Sequence, residues 1–91
     1  MKPFVLRSEK GGYDKKEVLN MLDAYNVLKF QVEEGNMMRG EAENEIARIR
    51  QMPLNKVPVK KFFSPVGFKP EEVEEYFNEL EQEIMNAVYQ G

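Results

Sequence analysis

The sequence predicts an all-α protein of short helices with coiled-coil-like packing, built from two repeated units in which a glycine turn leads into a helix start. Three observations carry this prediction. Apolar residues recur in steps of three and four through two long stretches. A 14-residue block recurs, in degenerate form, at a constant offset of 55. Both stretches are rich in Glu, Leu, Met, Lys and Ala, the residues that lose least on entering a helix.

The composition bounds the rest. The 91 residues are 42% hydrophobic and 32% charged with a net charge of −3, a balance typical of one small folded domain. A chain this short buries only about 60–65% of its unfolded surface, so self-association is expected to complete the core. Cys and His are both absent, which removes the thiolate nucleophile, the disulfide, the commonest general base and the commonest metal ligand. The two serines, Ser8 and Ser64, lie in no nucleophile-elbow context, and no glycine-rich phosphate loop is present. The chain therefore reads as non-enzymatic, with no cofactor or metal expected. No apolar run approaches the ~18 residues that span a bilayer, and no signal-peptide pattern opens the chain, which points to the cytoplasm. An isoelectric point of about 5.1 argues against nucleic acid as a partner.

The first unit covers residues 1–51. Residues 1–16 carry five Lys/Arg against two acids. Gly12 supplies the turn and Asp14 is a good N-cap, with Glu17 three residues on completing a capping box. Tyr13 and Val18 then occupy the two staple positions around that cap. The helix expected over about 14–34 carries an apolar stripe at Val18, Met21, Tyr25, Leu28 and Val32, with Leu22 beside it. Gly35 and Gly40 each cost about 1 kcal/mol relative to Ala inside a helix. Either one helix runs from 15 to 51, or the chain breaks at 35–40 and resumes as a helix over about 41–51; the break is the reading adopted here.

Residues 52–68 form a Pro-containing linker that, with its flanks, carries Lys56, Lys60, Lys61 and Lys69 and no acid. The second unit starts its motif at Gly67 and its helix at 69, running to 91. Over GYDKKEVLNMLDAY the second block GFKPEEVEEYFNEL pairs Gly12 with Gly67, Tyr13 with Phe68, Glu17 with Glu72 and Val18 with Val73. Lys69 takes the cap position and Pro70 sits at the first helical position, where its missing N–H costs nothing. Glu72 and its neighbour Glu71 complement the helix dipole. Its stripe runs through Val73, Phe77, Leu80 and Ile84, with Tyr76 alongside. The seven glutamates between 71 and 83 read as a solvated face. The two stripes read as core or helix–helix interface, and Asp14 with Glu17 as a cap rather than an acid–base pair.

The Gly–aromatic–cap–x–x–Glu–Val order, followed by an apolar pair, resembles the N-terminal domain of the DivIVA family of bacterial cell-division and polarity scaffolds. The first unit matches at Gly12, Tyr13, Asp14, Glu17, Val18 and Leu22, and the second at Gly67, Glu72 and Val73, with Phe68, Tyr76 and Phe77 as conservative matches. Two copies in one chain are more similar to tandem DivIVA-domain repeat proteins than to DivIVA itself. The resemblance implies a self-associating, non-catalytic scaffold or adaptor, with partners among division or envelope proteins. It also implies parallel pairing of the two motif helices, within a chain or between chains.

In the family a Phe and an Arg just before the Gly–Tyr enter the membrane surface. Here Lys10 and Gly11 stand at those positions in the first unit, and Pro65 and Val66 in the second, so those residues do not carry over. Two nearby segments mix bases with apolar side chains: Phe4, Leu6 and Arg7 with Lys10 in one, and Lys60, Lys61, Phe62 and Phe63 in the other. They are the candidate contacts for an anionic lipid surface on the inner face of the cytoplasmic membrane, or for a partner. The competing and preferred expectation is that these aromatic and aliphatic side chains fold back against the helices. A purely protein-binding helical adaptor with no membrane role is the alternative function.

Overall fold

A computed structural model of the chain describes residues 5–60 and 65–90. Phe4, Lys61, Phe62 and Phe63 lie outside the described residues. In chain order the elements are β1 (Ser8–Lys10), α1 (Lys15–Glu33), α2 (Arg39–Arg50), β2 (Val66–Phe68) and α3 (Pro70–Gln90). The protein is mostly helical. It departs from the all-α expectation in one respect: β1 and β2 form a two-stranded antiparallel sheet, with Ser8 opposite Phe68, Glu9 opposite Gly67 and Lys10 opposite Val66. The reason is backbone accounting. The two segments that enter the helices are extended, and their N–H and C=O groups need partners that no helix supplies.

α1 begins as its sequence dictates. Asp14 adopts an extended backbone and its carboxylate accepts the Glu17 N–H at 3.0 Å. The reciprocal half of the capping box does not form. The Asp14 N–H instead donates to the Asn55 carbonyl at 2.8 Å, and the Glu17 carboxylate takes the Asn55 N–H at 2.7 Å. The linker has displaced the local bond. α1 ends at Glu33, and Gly35 follows with φ of 74°, the left-handed conformation that glycine adopts without cost. After the turn the Glu41 carboxylate accepts the Met38 N–H at 3.1 Å and α2 starts.

α1 and α3 run side by side in the same direction. Their starts meet at Tyr13 and Phe68, the Tyr25 and Phe77 rings lie 5.2 Å apart further along, and Lys29 reaches Glu83 at 3.7 Å beyond that. α2 runs back against both. The core is Val18, Met21, Tyr25, Leu28 and Val32 of α1, Ala42 and Ile49 of α2, and Val73, Phe77, Leu80 and Ile84 of α3. Leu22 and Tyr76 are half-buried against it. The buried stripe of α3 is rotated relative to that of α1: Val73 matches Val18, but Phe77 rather than Tyr76 is fully buried. Arg50 of α2 stacks over the Phe77 ring at 5.3 Å, so α2 covers that flank of α3.

Candidate functional site

The two helix starts lie together at one junction, where the backbones are in close contact. Gly12 and Gly67 face one another with their backbones nearly touching. A Cβ on Gly12 would fall 2.4 Å from the Phe68 carbonyl oxygen, and one on Gly67 would fall 2.2 Å from the Tyr13 carbonyl oxygen. Next to them the Tyr13 N–H donates to the Phe68 carbonyl at 2.9 Å and the Phe68 N–H donates to the Tyr13 carbonyl at 2.8 Å. Only residues without a side chain allow this approach, which is the physical content of the glycine at the head of each motif.

Each helix start is then clasped in the same way by an incoming extended segment. At α1 the Asn55 carbonyl accepts the Asp14 N–H, and the Asn55 N–H and carboxamide donate to the Glu17 carboxylate at 2.7 to 3.3 Å. At α3 the Arg7 carbonyl accepts the Lys69 N–H at 2.8 Å, and the Arg7 N–H and guanidinium donate to the Glu72 carboxylate at 2.8 and 2.6 Å. The clasps are crossed: Arg7 precedes the first motif but holds the second helix, while Asn55 precedes the second motif but holds the first. The Arg7 hydrogen bonds hold the Glu72 carboxyl below the usual carboxylate range, and Glu72 in turn raises the Arg7 guanidinium. The Lys69 side chain is not part of its cap; the Lys69 carbonyl accepts the Glu72 and Val73 N–H groups at 3.1 Å. Pro70 follows as the first residue of α3.

A second network locks the three helices halfway along. The Arg50 guanidinium reaches Glu81 at 2.6 Å, Glu74 at 3.0 Å and Asn78 at 2.9 Å. Glu81 also accepts the Tyr25 hydroxyl, and Glu74 accepts the Tyr13 hydroxyl at 3.4 Å. Burial first, and then the Glu81 bond, pushes the Tyr25 phenol well above its ordinary value; burial and Glu74 raise Tyr13. Thus Glu72, Glu74, Glu81 and Glu83 of the glutamate run are bound to bases from elsewhere in the chain, which corrects their reading as a solvated face. Glu71, Glu75 and Glu79 are exposed.

The stripe residues predicted as an interface are therefore brought together, and it is within one chain that they pack. Of the predicted surface contacts, Leu6 is half-buried against the core and Arg7 is engaged with Glu72. Lys10 and Lys60 are exposed. Lys10 stands opposite Val66, which is 46% exposed, and Val59, 70% exposed, lies against Gly11. This end of the sheet thus carries a small apolar patch beside a base. Asn55 and Arg50 were not identified from sequence. Asn55 lies in a linker with no periodicity to mark it; Arg50 had only a basic residue's usual place in a last helical turn.

Among the described residues no group of three acidic side chains is disposed to hold a metal ion. No helix there is long and apolar enough to cross a membrane. No protein-family model, curated protein or solved structure matches the chain.

Proposed function

We propose that this chain is a non-catalytic, self-associating scaffold or adaptor of the DivIVA-domain type, related to bacterial cell-division or polarity proteins. In this reading two degenerate motif copies pair inside one chain, where the family pairs two chains. One observation carries it. Residues 55 apart in sequence (Gly12 and Gly67, Tyr13 and Phe68, Asp14 and Lys69, Glu17 and Glu72) hold equivalent places in a reciprocal junction between parallel helices. Two unrelated helix starts have no reason to share the glycine contact, the crossed clasp and the glutamate acceptor at one constant offset.

A peripheral role at the inner face of the cytoplasmic membrane is supported by Val59 and Val66, exposed beside Lys10 at the junction. An apolar wedge among headgroups with adjacent bases is a sound basis for binding anionic lipid. The alternative, an adaptor with no membrane role, is favoured by Leu6 turning onto the core and Arg7 being committed to Glu72. Pelleting with anionic and neutral vesicles separates the two. Binding to anionic vesicles alone, released by high salt and by Val59→Glu with Val66→Glu, supports the membrane role; no binding at any salt removes it. A fluorescent fusion in the native host tests the broader reading: enrichment at septa or poles is expected, and a uniform distribution would overturn it.

A further inference from the structure

We propose that a second copy of this chain docks antiparallel on the outer face of α1, with Leu19 of one copy against Phe30 of the other. This rests on the self-associating reading above and names the surface and direction it uses. The stripes expected to drive association are consumed inside the chain, so association needs another face. Leu19, Val27 and Phe30 are 51, 61 and 57% exposed. At 3.6 residues per turn they lie on the side of α1 opposite Val18, Tyr25 and Val32, the residues buried against α3 and α2. Among the described residues nothing covers this face of α1.

Charge chooses the occupant and its direction. α1 carries Lys16 in its first turn and Glu33 at its end, followed by Glu34, and no basic residue in its last turn. Asp14 and Glu17 suit the start of the helix, but Lys16, Glu33 and Glu34 oppose the macrodipole, which favours acids at the start and bases at the end. Lys16, Asp23, Glu33 and Glu34 are all exposed, and the ion pairs of the described residues do not include them. Setting Leu19 against Phe30 of an antiparallel second copy brings Lys16 opposite Glu33 and Asp23 opposite Asn26. It also sets the positive end of each helix dipole beside the negative end of the other. A parallel copy would put Lys16 against Lys16 and Glu33 against Glu33. The face is thus complementary to itself in the antiparallel sense only, as a twofold interface requires. A contact along one helix of 19 residues is small, at the transient end of protein interfaces.

Sedimentation velocity on the full chain, from about 10 µM to about 1 mM, reads it directly. The mass is expected to rise from 10.7 kDa toward a dimer as concentration increases. Phe30→Glu is expected to hold the protein monomeric across that range with unchanged helicity. K16E and E33K should each weaken association by about fivefold, and the K16E/E33K double variant should restore it. Each of these two changes suits its own helix dipole better, so a merely structural role would leave the mass unmoved and the melting temperature unchanged or raised. The chain has no cysteine, so oxidising L19C mixed with F30C should yield a mixed disulfide, while L19C alone should form no covalent dimer. A monomer at every concentration would overturn both this interface and the self-association it rests on. A dimer that survives Phe30→Glu, or an L19C–L19C cross-link, would overturn the interface alone and leave a self-associating scaffold standing.

Discussion

Replacing Gly67 by alanine tests the junction between the two helix starts. The new Cβ would lie 2.2 Å from the Tyr13 carbonyl oxygen and 2.5 Å from the carbonyl carbon and oxygen of Gly12. All three are backbone atoms, so no rotamer change relieves the clash. Neither Gly12 nor Gly67 has a positive φ, so the penalty is contact alone. Ordinary contact begins near 3.4 Å, and the strands must part by about an ångström to reach it, which breaks the two Tyr13–Phe68 hydrogen bonds. Those bonds are worth about 1 kcal/mol each, and the forced shift of packed neighbours adds about another 1. A loss of about 3 kcal/mol is a large share of the roughly 5–14 kcal/mol typical of a domain this size. Urea titration should show it as a lower midpoint at unchanged slope, and the melting temperature should fall by about 12–24 °C. Gly40→Ala is the control. Gly40 meets nothing within 4 Å inside α2, so that variant should gain about 0.5–1 kcal/mol. A Gly67→Ala protein as stable as the parent would refute the close approach and the junction with it.

Arg50→Ala should cost about 1–3 kcal/mol in thermal melts, because it strips Glu74, Asn78 and Glu81 of a shared donor and uncovers Phe77. Arg50→Lys should recover only part of that, since an ammonium cannot reproduce the planar fork. Glu72 has a depressed pKa in the folded protein, so its contribution is complete above the ordinary glutamate value of 4.5 and is lost as pH falls through the lower folded value. The stability difference between the parent and Glu72→Gln should therefore shrink on acidification in that window, and a constant difference would count against the Arg7 clasp. Tyr13 and Tyr25 both resist ionisation. Alkaline difference absorbance should show phenols titrating above 10, and Tyr25→Phe should remove the last of them. Val18→Asp and Val73→Asp each place an unpaired charge at a fully buried position and should abolish cooperative unfolding by circular dichroism.

Much of the local structure is legible from residue types alone. Asp14 caps α1 because a short acceptor side chain at that point has a free N–H within reach. Gly35 ends the first helix because its backbone takes a left-handed turn that other residues enter only at a cost. The spacing of Val18, Met21, Tyr25, Leu28 and Val32 names the buried face of α1 without any tertiary knowledge. Leu22 and Tyr76, placed beside the stripes by the same spacing, are half-buried against that core. The glutamates of α3, by contrast, looked like a solvated face, since their partners Arg7, Lys29 and Arg50 are distant in sequence.

The sequence by itself determined the helices, the Asp14 bond that opens α1 and the apolar faces, since these depend on side chains within a turn or two of one another. It also set Gly12 and Gly67 in similar Gly–aromatic contexts 55 residues apart. That the two glycines press against each other, that Asn55 takes the place of a capping box, and that Arg7 crosses over to hold Glu72 were decided only in three dimensions. Hydrogen bonds between residues 38 and 65 apart leave no local periodicity. They form because folding brings two extended backbones together where each is the nearest partner the other can find.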